Sequence, residues 1–552
     1  MSTAMSSFEQ RRKEIVRHMA LRAVQLPLNE YEIWFDRDIR DNYYYASYLL
    51  AFAVDNGFSS ESEREAALRK AEAVLLAVLK VQDRDPASGT YGHFPLQLRP
   101  SPQEARPHPL PAELMGSLMA YFYQTYRPHL SEALQSAFET ALYHLYRSPY
   151  YKKELRDFNH HEAKYTAAKL IFGHLYDDRQ LLEDGRRSLR LTLERLEARG
   201  MSEYGCLPWF WHWVQAFSCA KRLAGLPAVR DDLDRMLQWL WKERCAFYLK
   251  GAWVGARSRS WPHDIPRDSN VAFDYVQFGD FPLPDDFART EYAGFLFDEA
   301  PERERRAAAN RSVPAEVMKL IAKKDEAGTG EKLLHSYAYI TPSYAVGGVW
   351  ERFDEFDNEQ HRWDVAFPVT NRPAVNHAYF FHPGNMYSAG DLRHQSKYME
   401  IVPYRNAVLA LYPIPPEQDD EIVGVLPPGE WIQQPRALFG RVDGVYVSVY
   451  LMQDCELEER SDRIAVFSKG RPNAAVVEVI GAGEGRELGI GDDVRAFAAH
   501  MRAKPPLFSS GATLQIDYVT CHGDRLTLQY RQQEGPQALL NGRPFDWSKY
   551  AP

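Results

Sequence analysis

Asn159, His160 and His161 stand together in DFNHHEAKYTAAKLIF, a stretch that opens polar and then turns apolar. An Asn at a helix start accepts a backbone N–H that the first turn leaves unpaired. That accounts for Asn159 but not for the two histidines. Either they are surface residues after a helix cap, or they belong to a cleft that handles protons near neutrality. Successive helical residues project about 100° apart, so at most one of the two rings is expected to face a given cleft.

Two further segments carry polar groups that packing does not require. In GMSEYGCLPWFWHWVQAFSCAKRL, from Gly200, Glu203 and Tyr204 precede a Pro208 that can open a helix, and Trp209, Phe210, Trp211 and Trp213 follow. This reads equally as a loop against an aromatic core or as a carbohydrate cleft. In GARSRSWPHDIPRDSN, from Gly255, Arg257, Arg259, His263 and Arg267 crowd a stretch too rich in Gly, Pro and Ser to be helical. Such a run is ordinary surface charge or a carboxylate-binding loop, since arginine pairs carboxylates in a bidentate geometry. Further on, alternation places His335, Tyr337 and Tyr339 on one face of a strand.

The elements that must position these residues change character along the chain. From about residue 8 to 250, apolar residues recur at helical spacing, broken by short polar or Pro/Gly stretches. Successive antiparallel helices of this kind close into a ring of hairpins or stack as a solenoid, and the absence of a visible repeat disfavours the solenoid. The charged, Gly-interrupted stretch from Glu299 reads as a linker with one short helix. After residue 333 the segments are short, β-branched and aromatic, bounded by Gly, Pro, Asn and Asp, which predicts an antiparallel β-sandwich. The expected division is a helical catalytic domain over 1–300, a linker over 301–333 and a sheet domain over 334–552.

At 552 residues the chain exceeds one ordinary core. A net charge of −9 with dispersed basic residues excludes the positive stripe that nucleic-acid binding needs. No run of about 18 apolar residues occurs and no signal-peptide core is visible, so a cytoplasmic protein that does not span a membrane is expected. The five cysteines are odd in number and scattered, as buried free thiols would be. Dinucleotide, P-loop, zinc-protease and serine-hydrolase motifs are absent. Neither a cofactor nor a metal is expected, and scattered strand histidines such as His377, His382 and His394 read as structural.

In feature order the chain resembles the two-domain polysaccharide lyases of the heparinase II/III-like, alginate-lyase and glucuronan-lyase groups. Asn159 with His160 or His161 looks like their Asn-His element, and Ser202-Glu203-Tyr204 like the loop that supplies a tyrosine. Ala256-Arg257-Ser258-Arg259-Ser260-Trp261 is similar to an Arg-Ser-Arg-like segment. The Y-A-V-G-G-V-W stretch from Tyr344 and the closing LLNGRPFDWSKYAP resemble pieces of their sandwich.

The resemblance implies an N-terminal (α/α) toroid, a C-terminal antiparallel β-sandwich and β-elimination of a 4-linked uronic-acid polysaccharide or oligosaccharide. Asn159, a histidine and Arg257 or Arg259 would neutralise the substrate carboxylate where charge grows. Tyr204, with His160, His161 or His335, would move the protons. Glu203, Trp209, Trp211 and Tyr339 complete the expected sugar contacts. The competing readings are an inverting hydrolase using two of Asp36, Asp38, Glu203 and Asp264, and a carbohydrate-binding protein without catalysis.

Overall fold

The computed structural model describes residues 7–225, 227–289, 298–324, 330–354, 359–388, 391–491 and 493–552, apart from the side chain at 228. Its first part is helical: α1 (Phe8–Gln25), α2 (Ile39–Val54), α3 (Glu61–Lys80), α4 (Pro109–Tyr126), α5 (Glu132–Arg147), α6 (His160–Leu175), α7 (Arg179–Arg199), α8 (Leu207–Leu223) and α9 (Pro227–Ala246). The starts are written in the sequence. Ser7, Asp38, Ser60, Ser131, Asn159 and Asp178 each accept a first-turn N–H, while prolines stand in the first turns of α4 and α8.

Burial sorts these helices into two kinds. α5 buries a single stripe of Leu134, Phe138, Ala141, Leu142 and Leu145, as a helix with one wet face does. α6 instead buries every residue from Glu162 to Gly173, and α2, α4 and α8 are enclosed in the same way. The enclosed helices touch one another, α2 with α4 and α4 with α6 and α8, and the one-faced helices back them. Two short helices follow, α10 (Ala272–Gln277), which packs on α1, and α11 (Glu302–Ala309).

The second part is built of antiparallel strands. Two short ladders, β1 (Phe94–Pro95) with β2 (Pro107–His108) and β3 (Tyr248–Leu249) with β4 (Ala252–Trp253), lie within the helical part. An eight-stranded sheet runs in the order β16-β17-β12-β9-β8-β7-β6-β5. Its strands are β5 (Ala315–Lys324), β6 (Glu331–Ile340), β7 (Ala345–Val349), β8 (Trp363–Ala366), β9 (His377–Phe381), β12 (Glu421–Leu426), β16 (Cys455–Glu459) and β17 (Ile464–Lys469). It faces a six-stranded sheet of β10 (Glu400–Tyr404), β11 (Ala407–Tyr412), β13 (Glu430–Gln434), β14 (Ala437–Val442), β15 (Val445–Leu451) and β18 (Asn473–Ile480). Tyr379, Val408, Val425, Val447 and Val477 share the core between them.

The stretch expected to be a linker therefore holds α11 and then β5, so the sheets begin at Ala315. An unforeseen third layer covers the outer face of the six-stranded sheet. It comprises α12 (Ala482–Glu487), α13 (Val494–Arg502) and a five-stranded sheet of β19 (Leu507–Ser509), β20 (Leu514–Val519), β21 (Arg525–Arg531), β22 (Gly535–Leu540) and β23 (Arg543–Pro544). Among the described residues no helix is long and apolar enough to cross a membrane.

Helical part and sheets meet along residues 255–261. Gly255 lies against β7, and a Cβ on Gly347 would come within 2.9 Å of the Gly255 Cα. The paired glycines of the Y-A-V-G-G-V-W stretch thus permit two backbones to touch. Beside them Arg257 donates to Asp364 at 2.9 Å and its Nη2 lies 3.6 Å from Asp268. His377 bridges the same aspartates at 2.6 and 2.9 Å. Burial alone would discharge His377, but Asp268 and Asp364 raise its pKa, so two cations balance two anions with no exposure.

Arg257→Met leaves two buried carboxylates facing one cation and is expected to cost about 3–5 kcal/mol. Urea unfolding checks this, and a loss below about 1 kcal/mol would contradict the assignment.

Candidate active site

The first residues of the enclosed helices converge on one place. Asn159 caps α6, its Oδ1 accepting from the backbone N of His161 at 3.0 Å and of Glu162 at 3.1 Å. The donor it retains for anything outside the helix is its Nδ2 amide. His160 Nδ1 lies 2.6 Å from Glu203 Oε1. Glu203 Oε2 also accepts from the His160 backbone N at 2.8 Å and from Trp213 Nε1 at 3.0 Å. The Trp209 ring stacks on His160 at 4.8 Å and 8°.

Burial pushes the His160 imidazole down to about 4. Burial alone would raise Glu203, but the bonds from His160 and Trp213 hold it below the usual carboxylate range. The pair is accordingly a neutral imidazole on a carboxylate. With Nδ1–H donating, the lone pair sits on Nε2.

His161 repeats the arrangement with a different carboxylate. Its Nδ1 lies 2.6 Å from Glu113 Oε2, and its side chain is 40% exposed against 6% for Glu113. Tyr165 donates to Glu113 Oε1 at 2.5 Å, and Lys164 Nζ is 3.4 Å from Oε2. Burial opposes ionisation of Glu113, yet His161, Lys164 and Tyr165 together hold it down to about 2. The two imidazoles are 4.0 Å apart, and His212 of α8 lies 5.7 Å from His160. Each consecutive histidine thus has its own glutamate, one from the loop before α8 and one from α4, and His161 is the open one.

Across the junction Tyr204 packs with Ala256, Ile321, Leu334 and Val349, and its phenol oxygen accepts from Gln360 Nε2 at 2.8 Å. Gly205 makes this possible, with φ +66° and a notional Cβ only 2.3 Å from the Ala256 carbonyl oxygen. Arg259 Nε donates to Glu359 Oε2 at 2.5 Å, and Arg393 Nη1 donates to Oε1 at 2.7 Å. The Arg259 guanidinium lies 4.4 Å from the Trp261 ring centre and 5.5 Å from that of Trp209.

Several expected residues lie elsewhere. Arg257 is fully buried between aspartates and does not face a substrate. Trp211 is 1% exposed and stacks on Phe273 at 4.7 Å, a core residue. Tyr339, 9% exposed, faces Tyr344 at 6.4 Å within the sheets. His335 is turned away because Leu334, its neighbour on β6, is the residue that packs on Tyr204. His335 pairs with Glu351 at 2.6 Å and lies against Trp547 at 4.4 Å. Glu203, expected to touch sugar, lies 2.6 Å from His160 with its side chain 12% exposed.

Glu113, Lys164, His212, Gln360, Glu359 and Arg393 escaped the sequence reading. Only the spacing of Lys164, three and four residues beyond the histidines, was available as a signal. Among the described residues no group of three or more His, Cys, Asp or Glu side chains is arranged to hold a metal ion. His382 hydrogen-bonds Ser396 Oγ and the Asp419 carbonyl oxygen, both at 2.7 Å.

No family profile and no curated protein matches the chain. Its structural neighbours include a heparinase III, at 10% identity over 96% of this chain and 91% of that one, with a TM-score of 0.39. A chondroitin AC lyase mutant of Streptomyces coelicolor A3 gives 9%, 98%, 90% and 0.43. A beta-arabinofuranosidase of glycoside hydrolase family 127 gives 11%, 99%, 95% and 0.28. These likenesses are too distant to carry a reaction or a residue role to this chain.

His160 supplies a pH test. Because its folded pKa lies below the unfolded value, the unfolded chain binds the extra proton, and stability falls as pH drops from about 6.5 towards 4. Wild type is expected to lose on the order of 2 kcal/mol between pH 7 and 5 through this group. His160→Phe should lack that part of the decline in urea-unfolding series at the two pH values.

Proposed function

We propose that the chain is a lyase that cleaves a 4-linked uronic-acid polysaccharide or oligosaccharide by β-elimination. In this reading residues 1–300 form an (α/α) toroid that carries the chemistry, and the sheet domain closes the cleft. The observation that carries the proposal is the pair of histidine–glutamate dyads beside Asn159, with Tyr204 following Glu203 in the same loop. Such a dyad fixes the tautomer that leaves Nε2 free to take a proton.

The C5 proton of a uronate is too weakly acidic while the adjacent carboxylate keeps its full charge. Asn159 Nδ2 and Arg259, which lies beside Trp209 and Trp261, supply donors for that group, and helix N-termini favour the charge that grows on it. His161 Nε2 takes the C5 proton, the electron pair forms the C4–C5 double bond, and the C4–O bond breaks. Tyr204 gives its phenolic proton to the departing oxygen and regains one from solvent. The products are a 4,5-unsaturated uronate and a new reducing end.

Inverting hydrolysis needs a carboxyl that stays protonated near neutrality and reaches the glycosidic oxygen. Glu113 and Glu203 are held ionised, and the hydrogen bond from Arg99 lowers Asp36. Asp38 is taken up by the α2 cap and Arg40. Burial raises Asp264 to about 7, but it has no exposure with which to meet a sugar.

Ultraviolet absorbance of the unsaturated product, followed with reducing-end release on glucuronan, alginate and glycosaminoglycans, tests the reaction. Both signals are expected to rise together, and reducing ends without absorbance would make the protein a hydrolase. On the substrate so found, Tyr204→Phe should lower kcat about 10²–10⁴-fold with KM little changed. His161→Ala should lose at least as much, and wild-type turnover in either variant would remove that residue from the mechanism.

A further inference from the structure

Lys164 lies on α6 beneath both histidines, and its side chain is 5% exposed. Its Nζ is 3.4 Å from Glu113 Oε2, the oxygen that His161 Nδ1 approaches to 2.6 Å. Apart from this long contact, the ammonium makes no hydrogen bond among the described residues. A buried ammonium so sparsely bonded is costly, so neighbouring anions must retain its charge. Packing alone would have been served better by an apolar side chain of the same length.

We propose that Lys164 is a positioning residue that keeps Glu113 ionised and so holds His161 with its proton on Nδ1 and its lone pair on Nε2. This rests on the reading of His161 as the proton acceptor of the site.

The charges around the group favour this role. Lys164 is faced by Glu113 from α4, Glu203 from the loop before α8, His212 from α8 and Arg40 from α2, with His160 and His161 on its own helix. Glu113 also lies within the field of His93, Tyr150 and Tyr165. Burial keeps both His160 and His212 neutral. Lys164 is therefore the cation nearest Glu113 that does not depend on an imidazole becoming charged. With it in place His161 need not be protonated to neutralise Glu113. Without it, a 6%-exposed carboxylate would draw the proton onto the nearest imidazole.

Burial brings the Lys164 ammonium down to about 8, so its loss of charge falls within an accessible pH range. Histidine ring titration by nuclear magnetic resonance, with the His161 signal assigned from His161→Gln, reads the linkage without any substrate. In Lys164→Met the His161 midpoint is expected to rise by about one pH unit or more, and in Lys164→Arg to return to the wild-type value. An unmoved midpoint in Lys164→Met overturns the proposal.

Wild type gives an independent reading should Lys164→Met fail to fold. Its His161 signal is expected to shift across the pH range in which the Lys164 signal itself is seen to titrate, and a His161 signal that stays unmoved across that range would overturn the proposal. On an identified substrate, Lys164→Met should move the acid limb of kcat/KM upward, where a packing defect would lower the whole profile evenly. If no polyuronate yields absorbance, the lyase reading fails while the titration still decides the role of Lys164.

Discussion

Arg257 and His377 are held between Asp364 and Asp268 in a place without solvent exposure, and the sheet-side groups of the candidate site take their places only because this junction closes. Each ion would be expensive to bury alone, and together they balance. The contact also fixes where residues 258–261 run, because Arg257 and His361 exchange backbone hydrogen bonds at 2.9 and 3.0 Å. Tyr204, Gln360, Arg259 and Glu359 all take their positions from that pairing. Gly255 and Gly347 allow the approach, and any side chain at Gly347 would hold the halves apart.

Carboxylates organise the polar groups of the candidate site, two from the helical side and one from the sheet side. Glu203 and Glu113 each take one histidine, and Glu359 takes Arg259 and Arg393. Each has a side chain no more than 12% exposed. Held this way, the imidazoles and guanidiniums are oriented before any ligand arrives, which lowers what binding and reaction must spend on ordering. The enclosed helices contribute through their first turns, so their partial positive ends point into the same region.

Much of the fold was legible along the chain. Capping residues marked the helix starts, and α6 lay where the apolar run after His160 placed it. Short β-branched runs became antiparallel strands, and the free cysteines are free, Cys206, Cys219, Cys245 and Cys455 being buried. The reading failed at β5, where AEVMKLIAKK carries as much charge as a solvated linker because it edges the sheet and is only partly covered. The third layer was missed because its strands are hard to assign without knowing what they cover.

Of the candidate site, the sequence by itself determined which segments bring polar groups that need partners, because Asn159, His160, His161, Glu203 and Tyr204 are costly to place without them. It also determined that a histidine would stand at the first turn of a buried helix, since cap preference and periodicity are local. Only the tertiary structure decided who serves whom. Glu113 is 48 residues from His161 and Gln360 is 156 from Tyr204, and no local pattern links residues so far apart. Burial was likewise undecided along the chain. Arg257 and Arg259 are two residues apart and chemically alike, yet one is fully enclosed between aspartates and the other stays 19% exposed beside Trp209 and Trp261, because the groups that surround each come from residues far along the chain.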